Sequence, residues 1–181
     1  MNGNKMIYII DDNQYGELSK ACGYIEAGIY NDVVRWVKPS KETKVEDFHE
    51  AACICYHSSL AIKDNGVWEQ ASMLVEGIED LMDEIPLVKY SKGCTTIDYD
   101  EGSQIIYGMP KETFYKRLKH FVLHYKNVGK VDLEIFSNDY LETSSPNNIV
   151  VFGNEENLSS CQLLKQANKC EFYAIDDDKD I

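Results

Sequence analysis

Short apolar runs alternate with longer amphipathic segments along the first 130 residues, and this alternation predicts strands separated by helices. The runs that predict strands are 6–12, 33–37, 52–56, 86–90 and 104–107. The segments that predict helices are 15–29, 45–51, 65–84 and 111–126. Because strands that alternate with helices pair in parallel through right-handed crossovers, we expect one sheet with helices on both faces.

The helix predicted over 65–84 has the most regular apolar stripe, whereas the segment 92–103 has no helical period. The stripe consists of Ala71, Leu74, Val75, Ile78, Leu81 and Met82, with acidic residues opposite. Only 12 residues separate Ser91 from Gln104, and a crossover helix with its turns would fill that length tightly. We therefore expect the fourth crossover helix to be lost or shortened.

Candidate chemistry lies where the predicted strands end. Asp11 and Asp12 follow the first strand, His57 the third, Ser91 the fourth and Met109 the fifth. The carboxyl ends of parallel strands meet at the sheet edge where α/β folds bind their ligands. Adjacent carboxylates are typical of Mg²⁺ sites, and an acidic turn that closes a strand is the alternative. We expect at most weak Mg²⁺ binding at the two aspartates and no other cofactor.

Composition is typical of one globular domain with an appendage, since 44% of the 181 residues are hydrophobic. No stretch approaches the roughly 18 apolar residues of a membrane span. The first residues lack the apolar run of a signal peptide, so we expect a cytoplasmic protein without a membrane partner. No C-x-x-C motif occurs among the six cysteines. Cys53 and Cys55 are two residues apart in a predicted strand and so face the same side, which favours reduced thiols in the core.

The net charge of −13 is concentrated in the C-terminal third. Residues 1–130 carry 15 Lys/Arg against 20 Asp/Glu, and residues 131–181 carry 3 against 11. Nucleic-acid binding usually needs a basic stripe, so we expect no nucleic-acid partner. One local basic cluster is typical of the solvated face of a helix. It comprises Lys111, Lys116, Arg117 and Lys119.

Over residues 6–128 the chain resembles the receiver domain of two-component response regulators. The segment 9–13 is similar to the acidic pair of that family, and Ser91 to its switch Ser/Thr. His57, 45 residues after the acidic pair, stands where the family has its phosphorylated Asp, and Met109 precedes a proline where the family has Lys-Pro. The resemblance implies a flavodoxin-like, doubly wound α/β fold with five parallel strands in the order 2-1-3-4-5.

Two of the residues on which receiver chemistry depends are replaced. Phosphoryl transfer to a receiver needs a carboxylate nucleophile and a lysine that neutralises the acyl phosphate, whereas this chain has His57 and Met109. A thioether cannot donate a charge-assisted hydrogen bond, and we expect His57 to be a hydrogen-bonded strand-end residue. The leading hypothesis is a degenerate receiver that is not phosphorylated on Asp and acts as a protein-interaction or signalling regulatory module.

Two other functions stay open. A metal-dependent hydrolase or phosphotransferase would use Asp11, Asp12 and His57, which are chemically adequate ligands for Mg²⁺ or Mn²⁺. A small-molecule sensor would use the same sheet edge, although the chain has no Gly-rich phosphate loop.

Residues 131–181 predict an acidic, β-rich extension, which places the domain boundary after residue 130. The predicted strands are 131–135, 148–153 and 170–175, and a short helix is predicted over 159–168.

We expect the partner to be another protein or a second copy of the chain. The basic helix and the acidic 92–103 loop suit electrostatically steered association, with an ordinary solvated helix face as the alternative. The predicted contact includes that loop or Phe114, Lys116, Arg117 and Lys119 on the helix.

Overall fold

The computed structural model describes residues 5–12, 30–137, 150–153 and 171–174. In chain order its elements are β1 (Ile7–Ile10), β2 (Val34–Val37), a 3-10 helix (Val45–Phe48), β3 (Cys53–His57), β4 (Ala61–Asp64), β5 (Val67–Gln70), α1 (Ser72–Glu79), β6 (Leu87–Ser91), β7 (Asp98–Asp100), β8 (Ile105–Pro110), α2 (Lys111–Val128), α3 (Glu134–Ser137), β9 (Val150–Gly153) and β10 (Glu171–Ala174). The helices predicted over 15–29 and 159–168 lie outside the described residues.

The fold is α/β. Its main sheet has six strands in the order β2-β1-β3-β6-β8-β7. The five strands β2, β1, β3, β6 and β8 pair in parallel. Their order is the one that was predicted. The predicted total of five strands is wrong, because β7 pairs antiparallel with β8 and extends that edge. The short segment between β6 and β8 forms this strand and turns instead of a helix, so the predicted loss of the fourth crossover helix is confirmed.

The helix predicted over 65–84 is wrong in its first turns. A two-stranded hairpin of β4 and β5 occupies 61–70, and the helix that follows is only α1. The hairpin turns at Asn65 and Gly66, whose φ angles are 47° and 86°. Asn-Gly is the dipeptide that a tight two-residue hairpin turn prefers, because both positions need positive φ. This local turn preference outweighed the helical period of the residues around it.

Two apolar layers cover the sheet. Most of the apolar stripe predicted for the helix over 65–84 is buried against β1, β3 and the beginning of β6, whereas Met82 is exposed. On α2 the buried residues include Phe114, Leu118, Phe121 and Val122.

Cys53 and Cys55 are free thiols in the core of β3, as predicted. No described helix combines the length and the apolar character that crossing a membrane requires.

The chain divides into two compact units, residues 1–138 and 139–181. The strand predicted over 131–135 is wrong, because residues 134–137 form the short helix α3. Leu133, Ile135 and Phe136 are buried, and the rings of Phe136 and Phe121 lie 4.6 Å apart. Packing against α2 therefore decided the structure of this segment. In the second unit β9 and β10 form a parallel pair, and both of these strands were predicted.

Candidate functional site

Asp11 is the centre of a buried hydrogen-bond network at the carboxyl edge of the sheet. It directly follows β1 and is only 4% exposed. The Tyr90 hydroxyl on β6 donates to Asp11 Oδ2 at 2.5 Å. The Tyr115 hydroxyl on α2 donates to the same oxygen at 3.0 Å. Three elements distant in the sequence therefore meet at one carboxylate oxygen.

Aromatic packing holds Tyr90 in place as a donor. Its ring stacks on Phe114 with a centroid distance of 3.9 Å and an angle of 8° between the planes. The His57 imidazole contacts it in a T-shaped arrangement at a centroid distance of 5.5 Å. Complete burial raises the pKa of the Tyr90 hydroxyl, and the nearby Asp11 carboxylate raises it further. Tyr90 is therefore a neutral hydrogen-bond donor at physiological pH.

Asp12 has a different role from that of its neighbour. It is 6% exposed, and its Oδ2 accepts a hydrogen bond from the backbone N–H of Ala61 at 2.8 Å. Ala61 is the first residue of β4, so this bond ties the end of β1 to the start of the hairpin. A hydrogen bond between a carboxylate and a backbone amide is among the stronger ones in proteins. Asp12 thus fixes the hairpin to the sheet edge.

His57 is a hydrogen-bonded residue at the end of β3, as the sequence predicted. Its Nδ1 accepts from the backbone N–H of Ser59 at 3.1 Å. In the neutral imidazole this arrangement places the proton on Nε2. The side chain is half-buried against the ring of Tyr90.

Ser91 and Met109 contribute less polar chemistry to this edge. Ser91 Oγ accepts from the backbone N–H of Cys94 at 3.2 Å, which closes the turn after β6. Met109 is completely buried beside Tyr90 in the register of β6 and β8. A buried thioether adds apolar packing but no donor.

Two residues near this edge were not predicted from the sequence, and a third was assigned to a solvated helix face. Tyr90 and Tyr115 are the hydrogen-bond donors to Asp11, and Lys111 is buried at the first position of α2. Lys111 and Tyr115 are four residues apart, so they share one face of the helix. A tyrosine on a central strand facing a helix that carries another tyrosine could have suggested a polar partner.

The predicted solvated face of α2 is wrong for two of its basic residues, because Lys111 and Arg117 are buried. Arg117 Nη1 donates a hydrogen bond to the backbone carbonyl of Phe136, which immobilises the guanidinium beneath α3. Phe114 is also completely buried. Lys116 and Lys119 are the members of the predicted contact that remain exposed on α2.

Within the residues that the structure describes, no three His, Cys, Asp or Glu side chains are grouped as a metal site requires. Asp11 and Asp12 each direct one carboxylate oxygen to a donor of the protein itself. A divalent cation would have to compete with these donors for the oxygens that they bind.

Comparison with known proteins adds no assignment. No family model, no curated protein and no solved structure matches the chain.

Proposed function

We propose that the protein is a degenerate receiver-like, flavodoxin-like module that regulates other proteins by binding them and is not phosphorylated on Asp. The main supporting observation is the hydrogen-bond network at Asp11, where two tyrosine hydroxyls donate to one oxygen of the carboxylate. The parallel strand order β2-β1-β3-β6-β8 supports the same proposal. Strands with this order and a polar carboxyl edge agree with the doubly wound architecture.

The chemistry of the neighbouring strand ends also supports a role without phosphoryl transfer. His57 ends β3, and its Nδ1 is engaged with the backbone of its own turn. Met109 is buried at the end of β8 and cannot neutralise a phosphoryl group. A nucleophile would need an activating base and a charge-stabilising cation, whereas the basic nitrogen of His57 is already hydrogen-bonded and Met109 carries no charge.

Incubation with acetyl phosphate and Mg²⁺ tests this proposal. The intact mass should stay unchanged, because the carboxylate nucleophile and the neutralising lysine are replaced. A receiver with an intact acidic pocket treated in parallel is the positive control. A stable adduct of about 80 Da, mapped to any residue of the sheet edge, would contradict the proposal.

Metal affinity separates this proposal from the hydrolase alternative. We expect Mg²⁺ and Mn²⁺ to bind with millimolar affinity at best, because Asp12 is already hydrogen-bonded to Ala61. Calorimetric titration provides the measurement, and the Asp12→Ala variant is the control for site-specific binding. Micromolar affinity that disappears in this variant would favour a metal-dependent hydrolase or phosphotransferase.

The partner of such a module is another protein or a second copy of the chain. Two surfaces follow from the sequence, the exposed lysines Lys116 and Lys119 on α2 and the acidic segment 92–103. The second surface now has a definite structure, because residues 98–100 form the edge strand β7.

A further inference from the structure

Among the residues that the structure describes, the connection between β6 and β8 leaves part of one sheet face uncovered. The two strands pair in parallel, and α/β sheets normally have a helix over each such crossover. Here the connecting residues form turns and β7. On this face α1 buries Leu87 and Ile105 at the start of the two strands, whereas Lys89 and Tyr107 are only partly covered.

We call the uncovered area the open strip and define it by Met82, Lys89 and Tyr107. The three side chains line a cavity of about 120 Å³ together with Tyr56, Glu79, Leu87, Ile105 and Ile106. Tyr107 is 46% exposed and Met82 is 36% exposed, so an aromatic ring and a thioether form an apolar surface. Large apolar side chains grouped at a surface are typical of interaction sites.

The backbone of β8 imposes the exposure of Tyr107. Val88 lies opposite Ile106, whereas Tyr90 lies opposite Met109, so β8 has one residue more than β6 over this interval. The register against β7 shifts in the same part of β8. Such a bulge redirects side chains, and here Ile106 and Met109 are both buried while Tyr107 points outward.

Acidic residues surround the open strip. Glu79 is paired with Lys89 at 2.6 Å and accepts a hydrogen bond from Tyr56 Oη at 3.1 Å. The positive charge of Lys89 is therefore neutralised within the floor of the strip.

Residues 76–104 contain eight Asp/Glu and two Lys. Exposed Asp80 and Asp83 follow α1 on one side. Exposed Asp98 and Asp100 lie on β7 on the other side.

We propose that the open strip is the docking site for a basic amphipathic helix of a partner protein, which would lie where the crossover helix is missing. Two neighbouring strands are about 10 Å wide in total, which matches the diameter of one helix. The edge strand β7 has three residues, two of them exposed aspartates, and such an edge disfavours the addition of a strand. This inference rests on the proposed function as a binding module.

Charge favours a basic partner over a second copy of the chain. The chain has a net charge of −13, so two acidic rims would repel each other. Lysine and arginine side chains on a docked helix would face Asp80 and Asp83 on one side and Asp98 on the other. Apolar residues of that helix would contact Met82 and Tyr107.

Binding of a designed peptide to the full chain tests the inference. The probe is a fluorescent peptide of about 16 residues, long enough to form a helix, with leucines at i, i+3, i+4 and i+7 spacing and lysines elsewhere. Its isomer has the same composition in an order without amphipathic period. We expect the ordered peptide to bind at least about tenfold more tightly than the isomer in fluorescence anisotropy. Binding should weaken when the salt concentration rises from about 50 to about 200 mM.

The Tyr107→Glu variant separates docking from general attraction to an acidic protein. It adds negative charge, yet it should weaken binding of the ordered peptide about tenfold or more, because it removes the apolar floor. Val67→Glu is the matched control, since Val67 is 62% exposed on the β4–β5 hairpin, and its binding should be unchanged. Met82→Glu is a second variant, and thermal melting verifies the folding of all three.

The other outcomes contradict either the docking site or the proposed function, and the two failures can be distinguished. Equal binding of the isomer, or equal weakening by Val67→Glu, would show attraction without a site at the open strip. Sedimentation that reveals self-association abolished by Tyr107→Glu would identify a second copy as the occupant. An unchanged mass after acetyl phosphate treatment together with absent peptide binding contradicts only the docking site. A phosphoryl adduct together with intact peptide binding contradicts only the proposed function.

Discussion

Removal of the Tyr90 hydroxyl should destabilise the fold measurably, because that hydroxyl makes the shorter of the two tyrosine hydrogen bonds to buried Asp11. Tyr90→Phe preserves the ring that stacks on Phe114 at 3.9 Å, so the loss is confined to one hydrogen bond. A hydrogen bond to a charged acceptor contributes about 1.5–3 kcal/mol, and we expect a loss of about 2 kcal/mol for this variant. Tyr115→Phe, with a bond of 3.0 Å from a half-buried ring, should cost about 1 kcal/mol.

Urea denaturation of the full chain, followed by circular dichroism, measures both losses. The midpoint should fall while the dependence on urea stays the same, because neither change alters the surface exposed on unfolding. Both hydroxyls donate to one oxygen, so the remaining donor partly compensates for either single change. The double variant should therefore lose more than the sum of the single losses, by about 0.5–1 kcal/mol.

Tyr107→Phe is the control, since it removes a hydroxyl from an exposed ring and should change stability by less than about 0.5 kcal/mol. A Tyr90→Phe variant as stable as this control would refute the reasoning, because the network would then contribute nothing. Strict additivity of the two losses would refute the sharing of Asp11 Oδ2.

Two further predictions concern alkaline pH and the end of α2. Burial raises the pKa of Tyr90 and of Tyr56, so the folded state favours the neutral hydroxyls. The stability that these hydroxyls contribute is therefore complete below the unfolded-state pKa of about 10. It is lost as the pH rises from there toward the folded-state values. Urea midpoints should therefore decline above about pH 10, and Tyr90→Phe should make that decline shallower; an equal decline in both proteins would count against it. Gly129 ends α2 with a φ of 74°, and an added Cβ meets nothing within 4 Å. Gly129→Ala should thus cost about 1 kcal/mol through backbone strain alone, and Lys130→Ala, which keeps the glycine, should cost much less in the same denaturation assay.

The central strands could be predicted because the information is local, whereas their order was predicted from the resemblance to receiver domains. Each central strand is an apolar run with buried residues on both faces, and parallel pairing was predicted from the helices that alternate with the strands. The positions of Asp11, Asp12 and His57 at strand ends followed from the same pattern. The hydrogen-bonded role of His57 could also be predicted, since a strand-end imidazole readily bonds to its own turn.

The hairpin at 61–70 could have been predicted from Asn65 and Gly66, but the surrounding residues also fit a helical period. The Asn-Gly turn decided between these two local signals, and the hydrogen bond from the Ala61 amide to Asp12 fixes the start of β4. The helix α3 could not be predicted, because apolar and polar residues alternate in this segment as they do in a strand. Contact of Phe136 with Phe121 on α2 decided it.

The candidate site divides in the same way between sequence and structure. The sequence by itself placed His57 and Met109 at the ends of predicted strands, and under the proposed function they stand where receivers have a nucleophilic carboxylate and a lysine. Only the tertiary structure decided what Asp11 does, since Tyr90 and Tyr115 come from positions 79 and 104 residues away. The exposure of Tyr107 likewise depends on the register between β6 and β8. Pairing over such separations is set by packing of the whole sheet, which no local pattern records.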